Sequence, residues 1–185
     1  MSCCQLLSAH ELQESKPRKM FEPIQICKIL NEEKVDYIVL GGFAAVIHGS
    51  PLPTKDIDIL PNRTQENLDN LGRALTRMNA KIRISGEPVP TNIDGPFLAN
   101  MPHILNLVTD FGEIDLTFTP AGRAGSYDGW RSSATAELID EGLTVVVASL
   151  NDIIDSKQTA NRAKDQMALP YLESLRDELR RQEEG

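Results

Sequence analysis

The stretch that most constrains this chain is YIVLGGFAAVIHGSPLPTKDIDIL, residues 37–60. Residues 37–40 are continuously apolar, as in a strand buried on both faces. Gly41-Gly42 ends the run, and residues 43–48 read as a short helix that Gly49 stops. Ser50-Pro51-Leu52-Pro53 is a stiff connector to a second strand carrying Asp56-Ile57-Asp58. Strand side chains alternate faces with period two, so Asp56 and Asp58 share one face and Ile57 and Ile59 the other. Two carboxylates on a rigid strand beside a glycine turn are suited to Mg²⁺, which takes oxygen ligands and commonly one or two carboxylates plus substrate phosphates. Gly41 and Gly42 let backbone approach a phosphate and begin a helix whose N-terminus favours anions. The turn has neither the GK[ST] of a Walker A loop nor the spacing of a GxGxxG fingerprint.

The 185 residues suffice for one domain with a real core, and 41% hydrophobic with 25% charged residues is an ordinary globular balance. No apolar run is long enough to span a bilayer, and the N-terminus lacks the basic start and apolar stretch of a signal peptide. Cys3, Cys4 and Cys27 make neither a disulfide framework nor a zinc spacing, so a cytoplasmic protein without membrane partners is expected. The formal net charge of -8 argues against broad, non-specific nucleic-acid binding. It leaves room for a local basic patch, or for a metal that brings its own charge.

Residues 1–20 are expected to form a flexible tail, with a possible capping turn at Ser8 and Glu11, and residues 21–185 one α/β domain. A helix begins at Phe21-Glu22-Pro23, with Ile24, Ile26, Cys27 and Leu30 as its apolar stripe. After Pro61, Asn62 or Thr64 caps a helix with Leu68, Leu71, Leu75 and Met78 inward. A short strand over 81–84 is followed by an aperiodic Gly/Pro-rich loop over 85–102. A hairpin follows, with arms 104–109 and 113–118 around Asp110-Phe111-Gly112. In its second arm Glu113, Asp115 and Thr117 share a face. If this strand neighbours the first, Asp115 completes a three-carboxylate cluster as metal ligand or as base for an attacking hydroxyl; Glu113 is the competing candidate. Residues 120–130 read as a second loop, 134–139 as a short helix and 143–148 as a strand. Ser149 caps a helix to about residue 161. Residues 163–169 continue helically, Pro170 breaks or restarts the helix, and Tyr171, Leu172, Leu175 and Leu179 point inward. Trp130 and Tyr127 read as packing residues rather than base-stacking platforms. His48 reads as a helix-end residue, and Arg123 and Arg131 flank the second loop where substrate phosphates would pass.

The pattern GG-x-A-x₃-HG-x₃-PT-x-DID resembles the DNA polymerase β-like nucleotidyltransferase superfamily, and within it the AbiEii-type and MenT-type toxins. The lead-in ILNEEKVDYIVLGGFAA resembles them too, as does VASLNDIIDSKQTANRAKDQMALPYL, with its Lys-x₇-Asp motif. The likeness spans roughly residues 21 to 175. It implies a minimal nucleotidyltransferase fold, a mixed sheet flanked by helices with a helical C-terminal segment. It implies Mg²⁺, with Mn²⁺ as substitute, bound at Asp56 and Asp58. Gly41 and Gly42 match the turn facing the triphosphate of an NTP. Lys157 matches a lysine that neutralises phosphate charge, Asp165 the acidic residue after it, and Arg162 a further position of that motif. Thr54 matches the small hydroxyl residue before the aspartates, where a phosphate added by a kinase-like antitoxin would repel the nucleotide. The implied acceptor is the tRNA 3′ end, and the implied partner a cognate antitoxin. Leu52 stands where relatives often have Arg, so one substrate contact of the family is missing here.

Overall fold

The computed structural model describes residues 20–84, 87–89, 91–122 and 124–184. The turn at Ser8 and Glu11, Cys3, Cys4, His10 and Arg123 lie outside them. The sheet has the order β4-β3-β5-β6-β2-β1-β8-β7. Near its middle lies β1 (Tyr37–Leu40), all four residues buried as the apolar run requires. It pairs antiparallel with β2 (Asp56–Pro61) and parallel with β8 (Leu143–Val147). β2 pairs in parallel with β6 (Gly112–Thr117), which forms the expected hairpin with β5 (Ile104–Thr109). Beyond β5 lie β3 (Lys81–Ile84) and the edge strand β4 (Glu87–Val89). The architecture is a mixed α/β sheet flanked by helices.

Helix α1 (Pro23–Glu32), with Pro23 in its first turn, buries Ile26, Cys27, Ile29 and Leu30. Helix α2 (Gly41–Ile47) starts two residues earlier than expected, directly from the end of β1. Helix α3 (Gln65–Arg77) buries Leu68, Leu71 and Leu75, and Met78 caps it from inside the core. Asn62 Oδ1 accepts a hydrogen bond from the Thr64 N–H at 3.2 Å, and Thr64 is the N-cap. The buried Asn67 ties α3 to the sheet: its Oδ1 accepts from Asp36 N–H at 2.6 Å, and its Nδ2 donates to Asp36 O and Asn62 O at 2.9 and 2.8 Å. These bonds satisfy backbone groups that a buried strand end would otherwise leave orphaned.

Four expectations need correction. Residues 134–139 are not a helix: they form most of strand β7 (Thr135–Asp140), antiparallel to β8 with a register shift between Leu138 and Asp140. β7 is an edge strand, largely exposed, so no buried face imposed a period of two on its sequence. Pairing with the core strand β8 overrides the helical preference of Ala, Glu and Leu. The two expected loops contain structure: β4 and α4 (Gly95–Ala99) in the first, and α5 (Tyr127–Ser133) beginning within the second. These elements are too short to show periodicity. Asp94 caps α4 by accepting from Phe97 N–H at 2.9 Å. Pro170 does not break the C-terminal helix α7 (Ala163–Glu183). It sits on the exposed side, and the packing of Leu169, Leu172, Leu175 and Leu179 against the core carries the helix through the lost hydrogen bond. Tyr171 is 54% exposed, because the inward stripe follows Ala168, Leu172, Leu175 and Leu179, one step of the helix away.

Helix α6 (Leu150–Ala160) has the expected cap, Ser149 accepting from Asp152 N–H at 3.1 Å. It ends at Asn161 in the left-handed conformation, and α7 turns back to pack against it. Among the described residues no helix is long and apolar enough to cross a membrane.

Replacing fully buried Leu71 by Ala is expected to cost about 2–5 kcal/mol, while Tyr171→Ser changes stability by about 0.5 kcal/mol or less. Urea unfolding of both variants checks the assignment. Equal losses would contradict the orientation of α7.

Candidate active site

The sheet register builds the site. Asp58 lies beside Leu40 of β1 on one side and Asp115 of β6 on the other. Two register positions away, beyond the pair of Ile57 and Ile114 that faces the other side, Asp56 lies beside Glu113. Paired residues on neighbouring strands and alternate residues along one strand project to the same face, so the four carboxylates share one face of the sheet. The conditional expectation for Asp115, that its strand neighbours β2, is met.

The double glycine lies directly over this face. Gly41 has φ of +64°, and a Cβ there would run into the Asp58 Oδ2. A Cβ on Gly42 would come within 2.8 Å of Thr54 Oγ1. Only glycine meets both demands at position 41, a left-handed backbone and a carboxylate against its Cα. Thr54 in turn donates to the Asp56 backbone oxygen at 3.1 Å and its Oδ1 at 3.0 Å. The strand end, helix start and connector are thus fixed to the two aspartates.

These carboxylates repel one another. Burial, then the charges of Asp56 and Asp115, push Asp58 up to about 6 from its ordinary 3.8; Lys164 and Lys157 oppose the shift. Asp115 is also raised, by burial first and then by Asp56 and Glu113, against the pull of Arg83. Arg83, on β3, donates from Nη1 to Glu113 Oε2 at 2.6 Å and from Nη2 to Asp115 Oδ1 at 3.0 Å. Nothing in the motifs singled out Arg83, because its partners lie two strands away.

Opposite the aspartates stand cations from α6 and α7. Lys157, in the last turn of α6, donates to Asp165 Oδ1 at 3.1 Å. Arg162, the N-cap of α7, donates from Nε to Asp165 Oδ2 at 2.6 Å. Arg162 is 57% exposed, while its partner Asp165 is fully buried. Its burial pushes the carboxyl upward, but Arg162 and Lys157 outweigh that and hold it below the usual range. It therefore remains an anion that aims two cations, and it does not itself line the cavity. The cavity, about 640 Å³, is lined by Gly41, Gly42, Thr54, Asp56, Asp58, Lys157 and Arg162. Lys55, Ser156 and Lys164 line it as well and were missed; the nearness of Lys164 to Arg162 and Asp165 was the available signal.

Trp130 is 1% exposed and lines the same cavity, with its Nε1–H buried and without a partner among the described residues. Tyr127 donates to Asp36 Oδ1 at 2.5 Å and is not among the lining residues. His48 Nε2 bonds the Ala148 carbonyl oxygen at 2.8 Å, tying the end of α2 to β8. Leu52 and Arg131 do not line the cavity, nor do Asp115, Glu113 and Arg83, which lie beside it on β6 and β3.

The expected three-carboxylate metal cluster is not assembled as one ligand set. Among the described residues no group of three or more His, Cys, Asp or Glu is arranged to hold a metal ion, and Asp115 is engaged by Arg83. The chemistry of the remaining donors nonetheless fits Mg²⁺ or Mn²⁺. Asp56 and Asp58 are hard oxygen donors whose mutual repulsion a cation relieves, and phosphate oxygens complete such a shell.

The Asp58 shift fixes a sign. The folded protein holds the Asp58 proton up to about pH 6, whereas the unfolded chain releases it near 3.8. The folded state therefore binds more protons in that window, and stability falls as pH rises through it. Asp58→Asn, which mimics the neutral form, should stabilise the metal-free protein by about 1–3 kcal/mol at pH 8 and by less at pH 5. Urea unfolding in EDTA checks this. A gain independent of pH would contradict it.

The fold is that of solved nucleotidyltransferases. The lincosamide antibiotic adenylyltransferase LnuA, in its lincomycin-bound structure, superposes with a TM-score of 0.57 at 15% identity, over 85% of this chain and 99% of that one. ANT(2″)-Ia, in complex with adenylyl-2″-tobramycin, superposes with a TM-score of 0.54 at 15% identity, over 86% of this chain and 95% of that one. No protein-family model and no curated protein matches the sequence. The chain thus has the α/β nucleotidyltransferase fold, with the paired aspartates, the glycine turn and a cationic wall around one cavity.

Proposed function

We propose that this chain transfers a nucleoside monophosphate from an NTP to an acceptor hydroxyl and releases pyrophosphate. The observation that carries the reading is that Asp56, Asp58, Lys157, Arg162 and the Gly41-Gly42 turn line one cavity. A triphosphate needs both a metal-binding carboxylate pair and fixed cations for the leaving group. When bound, Mg²⁺, with Mn²⁺ as a substitute, supplies charge neutralisation at the α-phosphate, held by Asp56, Asp58 and substrate oxygens. Asp115 is assigned here as the base, with Glu113 as its competitor. The acceptor oxygen forms a bond to the α-phosphorus, the α–β bridging P–O bond breaks, and the hydroxyl proton passes to Asp115. Lys157 and Arg162, aimed by Asp165, take up the charge that develops on pyrophosphate.

The acceptor in this reading is the 3′ end of tRNA, and the protein acts as the toxin of a toxin–antitoxin pair. The likeness of the two motifs to AbiEii-type and MenT-type toxins favours it. So do Lys55 and Lys164, which line the cavity with Lys157 and Arg162 and add positive charge that suits RNA phosphates. A cognate antitoxin acting on Thr54 would block the site, since that hydroxyl lies on Asp56. A small-molecule or protein acceptor is the second reading. It draws on the antibiotic acceptors named for the two superposed enzymes and on the acidic net charge of -8.

Incubating the protein with α-labelled NTPs, Mg²⁺ and total tRNA should label tRNA, with the rate falling steeply between 50 and 200 mM salt. Asp56→Ala should abolish both the labelling and any growth inhibition. Label on an antibiotic or a protein, with none on RNA, would overturn the tRNA acceptor. Growth inhibition that survives Asp56→Ala would favour a non-catalytic binding module.

A further inference from the structure

Resting on the nucleotidyltransferase reading, we propose that Arg83 sets the charge class of the acceptor: it admits neutral or phosphate-bearing hydroxyls and turns away polycations. In-line displacement places the attacking oxygen opposite the departing pyrophosphate. The pyrophosphate side is the wall built from α6 and α7 by Lys157 and Arg162. The acceptor therefore approaches from the far side of Asp58, over β6, whose Thr117 lines the cavity and whose Glu113 and Asp115 lie beside it without lining it.

Left alone, that approach would be strongly acidic. Four carboxylates share this face of β2 and β6, and two of them belong to the metal-binding pair. The other two would attract any polyamine-like acceptor. Arg83 reaches across from β3 and holds both, with bonds of 2.6 Å to Glu113 and 3.0 Å to Asp115. The guanidinium fork suits this double grip as a lysine ammonium would not.

The ion pairs are not an arrangement optimised for stability alone. The Arg83 Nε–H is buried with no partner among the described residues. A buried unsatisfied donor carries a cost that a purely structural pair has no reason to keep. Arg83 and Glu113 also remain about one-third exposed, at 33% and 31%, within reach of an arriving ligand. The chain thus carries its own cation where a polycationic acceptor would dock.

The test is calorimetric titration of the full chain with tobramycin as the polycationic probe. Arg83→Gln frees both acids and should tighten tobramycin by about tenfold at low salt, with the gain shrinking as salt rises. Arg83→Lys, which restores the charge, should return the affinity toward that of the unsubstituted protein. No gain in Arg83→Gln, or an equal gain in Arg83→Lys, overturns the proposal. Glu113→Gln carries the test should Arg83→Gln not fold. It removes one negative charge and leaves the guanidinium paired with Asp115 alone, and should tighten binding of the trinucleotide CCA; an unchanged CCA affinity counts against the proposal. ATP with Mn²⁺ is titrated in parallel. If it fails to bind, the nucleotidyltransferase reading falls. If it binds while Arg83→Gln gains nothing, only the role of Arg83 falls.

Discussion

The contact on which the rest of the site depends is the backbone of Gly41 lying against the carboxylate of Asp58. β1 passes into α2 with no intervening loop, and this is possible only because residue 41 has a positive φ and no side chain. The same close approach brings the first turn of α2 over the two strands that carry the acids. Thr54 and Gly42 make the second layer of this fit, and Thr54 closes it by bonding Asp56. The connector 50–55 is therefore held by the aspartates as much as it delivers them.

This arrangement carries an electrostatic cost. Asp58, Asp56 and Asp115 are neighbours, and Asp58 is partly desolvated, so its ionised form is disfavoured. Evenly spread charges would give a more stable sheet. The strain is local and is answered from three directions: Arg83 from β3, and Lys157 and Lys164 from α6 and α7. Asp165 belongs to that answer, because a buried anion keeps Lys157 and Arg162 at the cavity wall instead of in solvent. Perturbed carboxylates gathered in a cavity are a common mark of a functional site.

Much of this was legible in the sequence because the central elements follow simple periods. The apolar run of β1, the alternation in Asp56-Ile57-Asp58 and the stripe of α3 each have one structural solution. The Ser149 cap was likewise readable from local chemistry. Other features depended on tertiary pairing. β7 has no buried face to pattern its residues, so its Ala and Glu content pointed to a helix. α4 and α5 are too short to repeat a period, and α7 crosses Pro170 on the strength of packing that lies elsewhere in the chain. Within the site, Asp115 was found from strand alternation and Lys157 from a motif. Arg83 has no local pattern, because sheet order brings it in, and Lys55, between Thr54 and Asp56, occupies the position that the PT-x-DID pattern leaves open. The burial of Asp165 was equally hidden, since an Arg-x-x-Asp spacing at a helix start looks like a surface pair.

The central claim is that Asp56 and Asp58, fixed beneath Gly41, form a metal–triphosphate site. Its most direct test is electron paramagnetic resonance of Mn²⁺ with a non-hydrolysable ATP analogue. The native protein should bind Mn²⁺ far more tightly with the analogue than without it. Gly41→Ala should lose that linked binding while circular dichroism still reports a folded α/β protein. Undiminished linked binding in a folded Gly41→Ala variant would contradict the account.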